Sequence, residues 1–209
     1  MRAALGVAVA ACLAAACAPG PKTEPQATAY RLATTRPEPP TASPSFPQTA
    51  LQVVPATGSF AASRTQIFYS LAYRSQAHVS RYGESRWAAP PQRMIGRTVA
   101  SWLAASGHWQ AVVGPEAWAP ADYVLKLEIH RILQVFPQPQ ESEAILTLQA
   151  DLKGPEDRLQ AQRLFTYRHP TQGHGARATA DAQNRNLTRF CRELEDWLLQ
   201  AMAQAPARS

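Results

Sequence analysis

Cysteine is scarce in this chain, charge is thin, and no apolar stretch is long. Three cysteines in 209 residues, at positions 12, 17 and 191, are too few for a disulfide framework or a multi-cysteine zinc site. No apolar run reaches the ~20 residues that a membrane-spanning helix needs. The chain has no Gly-x-x-x-x-Gly-Lys-Ser/Thr loop, which excludes a nucleotide-driven motor subunit, and no Gly-x-Ser-x-Gly elbow, which removes the strained nucleophile turn of serine lipases and esterases. Charged residues make up 17% and the formal net charge is +6, too weak and too dispersed for a nucleic-acid binder. What is present is apolar material. At 45% apolar residues with five tryptophans, the chain can build one core with appendages, and full disorder is excluded.

The first residues decide the compartment. Arg2 is followed by an uninterrupted small and apolar run, the layout of an export signal, which is set aside from the fold. Leu13-Ala14-Ala15-Ala16-Cys17 resembles a bacterial lipobox, in which small residues admit the signal peptidase and the cysteine thiol is alkylated by diacylglycerol. Val9-Ala10-Ala11-Cys12 matches locally but leaves an apolar region of barely nine residues, so Cys17 is the preferred processing site. In a plain secretory signal both cysteines are merely small side chains. Lipidation at Cys17 makes residues 1–16 the signal peptide and supplies a covalent diacylglycerol and acyl group (palmitate in kind) as the membrane anchor, the only cofactor-like group expected. One chain binds weakly and two or more hold durably, at about 0.8 kcal/mol per buried CH₂. Ala18 follows, not aspartate; among lipoproteins generally that absence marks sorting to the outer membrane.

Prolines at 19, 21, 25, 37, 39, 40, 44 and 47 disfavour helix and central strand, so 17–49 reads as the lipidated cysteine and a proline-rich linker. Thirty stretched residues would reach on the order of 100 Å, and a flexible coil of that length about 30 Å. Tyr30-Arg31-Leu32 interrupts the linker with an alternation suited to a short edge strand. Residues 50–204 form the expected domain, with 205–209 a disordered tail.

Within that domain Leu51-Gln52-Val53-Val54 and Thr65-Gln66-Ile67-Phe68-Tyr69 read as strands. Residues 74–89 read as polar and irregular. Pro90-Pro91 opens a helix with Ile95, Val99, Trp102 and Leu103 on one face, closed at Ser106-Gly107, before a short strand over 109–113. From Tyr123 odd positions are apolar, and the alternation returns at Leu146, Leu148, Ala150 and Leu152. A turn at 153–157 leads to a third strand over 162–167. This one-faced meander needs cover, and the closing helix supplies it through Leu187, Phe190, Cys191, Leu194, Trp197, Leu198 and Met202. The fold class expected is α+β, a mostly antiparallel sheet with two helices packed on one face.

The order of these pieces resembles the ABC-type transport auxiliary lipoproteins, the lipoprotein components of paraquat-inducible and other MCE-type lipid transport systems. The resemblance rests on the lipobox, the tether with Tyr30-Arg31-Leu32, and Arg64-Thr65-Gln66-Ile67-Phe68-Tyr69. It continues through 81–91 (Arg81-Tyr82-Gly83-Glu84-Ser85-Arg86-Trp87 to Pro91), Ala121-Asp122-Tyr123-Val124-Leu125, and Asp196-Trp197-Leu198. It implies a non-enzymatic subunit anchored at the periplasmic face of the outer membrane. There it docks the far end of an MCE-domain protein, as a homo-oligomer around it, while a permease and an ATPase elsewhere drive the lipid. A chaperone or pilot lipoprotein of an outer-membrane assembly protein is the rival within the same compartment.

Of the chemistry-bearing residues, Tyr82, Arg86, Trp87 and Arg93, flanked by Arg81 and Arg97, make the densest basic and aromatic stretch. They are the expected partner-binding residues, since arginine and aromatics are enriched at interface centres. In the other reading Trp87 plugs the core and the arginines are solvated. His169 and His174 lack further ligands at recognisable spacing, so no metal is expected. Cys191 lies on an apolar stripe and reads as a small hydrophobe. Lys126, Glu128 and His130 read as the solvated face of a strand. A periplasmic hydrolase built on Ser106, Asp122 and His169 is the rival from another class.

Overall fold

The computed structural model describes residues 27–35, 45–75 and 77–204. Cys12, Cys17 and the tail at 205–209 lie outside the described residues. The frame is β7 (Tyr123–Gln138), a strand of 16 residues whose alternation buries Leu125, Leu127 and Ile129. A bulge at His130 shifts the phase, after which Ile132 and Gln134 are buried, followed by Val135 and Phe136. Along one edge runs β8 (Glu141–Lys153), and beyond it β9 (Leu159–Pro170), both antiparallel. The turn between β8 and β9 places Glu156 and Asp157 at positive φ, a conformation acidic residues tolerate better than branched ones.

The other edge of β7 is assembled from short pieces. Moving along it, β2 (Phe46–Val53), β3 (Thr57–Gly58) and β4 (Gln66–Ser70) pair in succession, every one parallel to it. Outside β2 lies β6 (Trp109–Val113), parallel; outside β4 lies β5 (Val79–Trp87), antiparallel, and outside β5 lies β1 (Thr28–Tyr30), parallel. Parallel neighbours need a long crossover, and α1 (Pro91–Ser106), between β5 and β6, supplies it. The architecture is therefore α+β as expected; most paired residues are antiparallel, through β7, β8 and β9, and the parallel pieces make the sheet mixed rather than purely antiparallel. Side-chain alternation marks a strand and its inward face; it carries no information on strand direction.

Both helices lie on one face. Pro91 sits in the first turn of α1, where its missing N–H leaves nothing unpaired, and Gly107 at φ +71 closes it in the left-handed conformation. The closing helix, α2 (Ala176–Ala203), begins eleven residues before the apolar stripe read from Leu187, and its 28 residues run to about 42 Å. From Leu187 on it fills the core with Leu187, Phe190, Leu194 and Leu198, all inaccessible, and Phe190 meets the Phe165 ring edge-on at 5.2 Å. On the other sheet face Phe68 packs on Phe60, while Thr147, Gln149, Asp151 and Gln162 give it a polar surface.

The folded unit begins well ahead of residue 50. Thr28–Tyr30 pair with Ser85–Trp87, the Ala88 N–H donates to the Tyr30 carbonyl at 2.7 Å, and Leu32, 5% exposed, belongs to the core. The expected short edge strand at Tyr30-Arg31-Leu32 is thus present, set back to 28–30.

Candidate functional site

The fold concentrates its polar side chains in three places. The first is a buried node where α2 starts. Gln134 has no exposed surface and stands in the inward register of β7, so its amide must be satisfied within the protein. Its Oε1 accepts from the Thr179 hydroxyl of α2 at 2.6 Å and from the Tyr82 hydroxyl of β5. Its Nε2 donates to Ser142 Oγ at 2.9 Å and Thr171 Oγ1 at 3.1 Å. One turn on, Gln183 Nε2 donates to the Ile145 carbonyl at 2.9 Å and Asn186 Nδ2 to the Ala144 carbonyl at 3.0 Å. Burial pushes the Tyr82 hydroxyl up to about 12, against a partial offset from Thr179. Every member is paired, so the node fixes the seating of α2 and offers nothing to a ligand.

The second cluster lies where α1, α2 and β6 meet. His108 Nδ1 lies 3.0 Å from Ser45 Oγ, and His108 Nε2 lies 3.4 Å from Glu195 Oε1. The other Glu195 oxygen accepts from Trp102 Nε1 at 2.6 Å. A serine, a histidine and a glutamate in a row have the order of a hydrolase triad, but His108 and Glu195 are both nearly buried and the cavities along the two helices are lined by other residues. Their evident work is to satisfy a carboxyl between two helices, where a hydrogen bond to a charged group contributes about 1.5–3 kcal/mol.

The third is the outer face of the helix layer. Arg93 and Arg97 of α1 both donate to Glu116 Oε1, Arg93 Nη2 at 3.0 Å, and these hydrogen bonds hold the exposed Glu116 carboxyl below its ordinary value. Residues 31–35 lie in the groove between the helices: Leu32 is inserted, and the Ala33 N–H donates to Asn184 Oδ1 at 3.0 Å. Where 33–35 meet α2 an open cavity of about 560 Å³ is lined by Thr34, Thr35, Asp181, Arg185, Arg189 and Arg192 among others.

The residues singled out from sequence are dispersed over these places. Trp87 is 2% exposed and stands in the core, the position of a plug. Tyr82 belongs to the buried node, Arg86 is exposed on β5, and Arg93 is exposed within the Glu116 clamp. Lys126, Glu128 and His130 lie on the sheet face away from the helices, with His130 Nδ1 4.0 Å from Glu128 Oε1. Cys191 is buried in the core. His174 is exposed and its ring stacks on Phe136 at 5.7 Å; burial, aided by the charge of Arg185, lowers His169. Among the described residues no three His, Cys, Asp or Glu side chains gather as a metal site. Ser106, Asp122 and His169 form no common site. Ser106 donates to the Leu103 carbonyl and Asp122 accepts from the Ala50 N–H at 2.8 Å. Asp122 precedes the end of β7 paired with Lys153, whereas His169 pairs with Ala144, nine residues along β8, or about 30 Å away. The node residues Gln134, Thr179 and Gln183 were not singled out, although each is a polar residue in an apolar register. That conflict is itself a signal.

A family model described as the ABC-type transport auxiliary lipoprotein component matches residues 30–195. The chain belongs to this family. As an ABC-type transport auxiliary lipoprotein it is an accessory component of an ABC-type transport system, and a lipoprotein is held at a membrane of the cell envelope. No helix of the described residues is long and apolar enough to cross that membrane. Among solved structures, the chain is similar to a protein of Xanthomonas campestris at 25% identity and TM-score 0.75, covering 85% of this chain and 98% of that one. It is also similar in fold to an uncharacterized protein at 12% identity and TM-score 0.64, covering 83% and 99%. No curated protein matches the chain. The matched segment starts at Tyr30, in agreement with a folded unit that takes in β1 and Leu32.

Proposed function

We propose that this auxiliary lipoprotein is a non-enzymatic docking subunit of an MCE-type phospholipid transport system. It is anchored through acylated Cys17 to the periplasmic face of the outer membrane and grips the far end of the MCE-domain partner. The family match over 30–195 carries the reading. The partner-binding surface takes in Arg86 and Arg93, which are exposed. Lipidation at Cys17 and sorting by Ala18 rest on the sequence pattern.

Photo-crosslinkers at positions 86 and 93 in intact cells, followed by mass identification of the adduct, test the docking. Capture of an MCE-domain protein supports it. An outer-membrane assembly protein replaces it with the pilot reading, and capture of lipid or peptidoglycan alone overturns it. The mass of the mature amino-terminal peptide tests the anchor: an unmodified Cys17 overturns that part.

A further inference from the structure

Given an anchor at Cys17, the leash is short. Residues 28–32 are pinned by pairing with β5 and by the burial of Leu32. Nine residues separate Cys17 from Ala27, and the ten steps between them span at most about 35 Å. A domain of this size is roughly 40 Å across. The folded unit is therefore held within about its own diameter of the acyl chains, not at the end of a thirty-residue tether.

The pinned segment also runs onto the helix layer. After β1 it crosses the groove between α1 and α2 and reaches the cavity lined by Arg185, Arg189 and Arg192. Arg189 is paired with Glu193 at 2.7 Å. Among the described residues Arg185 and Arg192 have no ion pair, and Asp181 is the one acid lining the cavity. The far face of the sheet carries ion pairs, Arg168 on Glu143 and Lys153 on Asp157, and its other cations, Lys126 and Arg131, are not gathered round a cavity. A cluster of three arginines thus lies against residues 33–35, six to eight positions along the chain from Ala27, where the leash ends.

We propose that this outer face of α2, centred on Arg185 and Arg192, rests on the anionic headgroups of the membrane that holds the anchor. The arginine cavity takes a phospholipid phosphate, and the far sheet face is turned toward the periplasm. Each basic side chain at an anionic surface is worth roughly fivefold in association, and the anchor makes that attraction intramolecular.

The test uses the acylated protein in vesicles of phosphatidylcholine, with or without phosphatidylglycerol, recovered by flotation. Phenylglyoxal modifies accessible arginines, and mass spectrometry reads each site. Arg185 and Arg192 are expected to be labelled several-fold more slowly in the anionic vesicles, while Arg131 on the far sheet face is labelled equally in both. Equal rates at Arg185 and Arg192, or protection of Arg131 instead, overturn the proposal. In the double variant Arg185→Glu, Arg192→Glu, checked for a native circular dichroism spectrum, Arg189 should lose its lipid-dependent protection; retained protection also overturns it. Protein that fails to float removes the Cys17 anchor and this inference with it, whereas protein that floats with equal labelling removes the inference alone.

Discussion

The two edges of β7 are built on different principles. One is a continuous antiparallel ladder from Val124 opposite Lys153 to Gln138 opposite Glu141, continued by β9 and roofed by the apolar half of α2. The other is a mosaic of β2, β3 and β4, each joined by two or three parallel pairs and held in place by what packs above it. The ladder is specified by local alternation and hairpin connections. The mosaic depends on Leu32, on Trp87 and on the polar node, contacts between residues far apart in the chain.

The largest effect is expected on the ladder side. Phe190→Ala removes an inaccessible ring packed against Phe165 and Tyr167 and should cost about 3–5 kcal/mol. Chemical denaturation would measure it; a loss below 1 kcal/mol would mean that α2 is not the main roof. Leu32→Ala, on the mosaic side, should cost about 2–3 kcal/mol. It should also expose the bond after Arg31 to trypsin. Unchanged proteolysis would detach the pinned tether from the fold and lengthen the leash again.

Gln134→Leu keeps the volume but deprives Thr179 and Tyr82 of a shared acceptor, at a cost of about 1–3 kcal/mol. Hydrogen exchange should rise in β4, β5 and the first turns of α2 while β8 and β9 stay protected. A uniform rise would erase the distinction between the two edges. A subtler difference follows from pH. Burial raises the Tyr82 hydroxyl from 10.0 to about 12, so the fold favours the neutral phenol. Its contribution is complete below pH 10 and is lost as pH climbs through 12. Burial first, then the hydrogen bond to Glu193, raises Tyr167 in the same direction. Tyr82→Phe should flatten the alkaline part of a stability-against-pH curve; an unchanged slope would place that dependence elsewhere, on Tyr167.

These contrasts explain which parts were legible. The strands over 109–113 and from 123, the proline start of α1 and its Gly107 stop, and the stripe from Leu187 all announce themselves through local pattern. Residues 79–87 read as irregular yet form β5. Gly83 and several exposed polar residues blur the alternation there, and only β1 lies outside it in the sheet. The first turns of α2 were missed because Thr179, Gln183 and Asn186 bury polar groups on amides, hydroxyls and strand carbonyls that no helical wheel anticipates. For the candidate site, Arg86 and Arg93 are exposed, whereas Tyr82 and Trp87 are drawn inward by Gln134 and by the core. The arginine cavity brings residues 33–35 against α2, some 150 positions away in the chain.

Sequence alone determined the elements with a strong period, the α+β class and the family, because alternation and helical spacing record which side chains must leave water. Tertiary structure decided strand direction, the inclusion of residues 28–32 in the folded unit, and which polar groups satisfy one another. Those outcomes depend on pairings between distant segments, and a pairing has no period for one strand or helix to display.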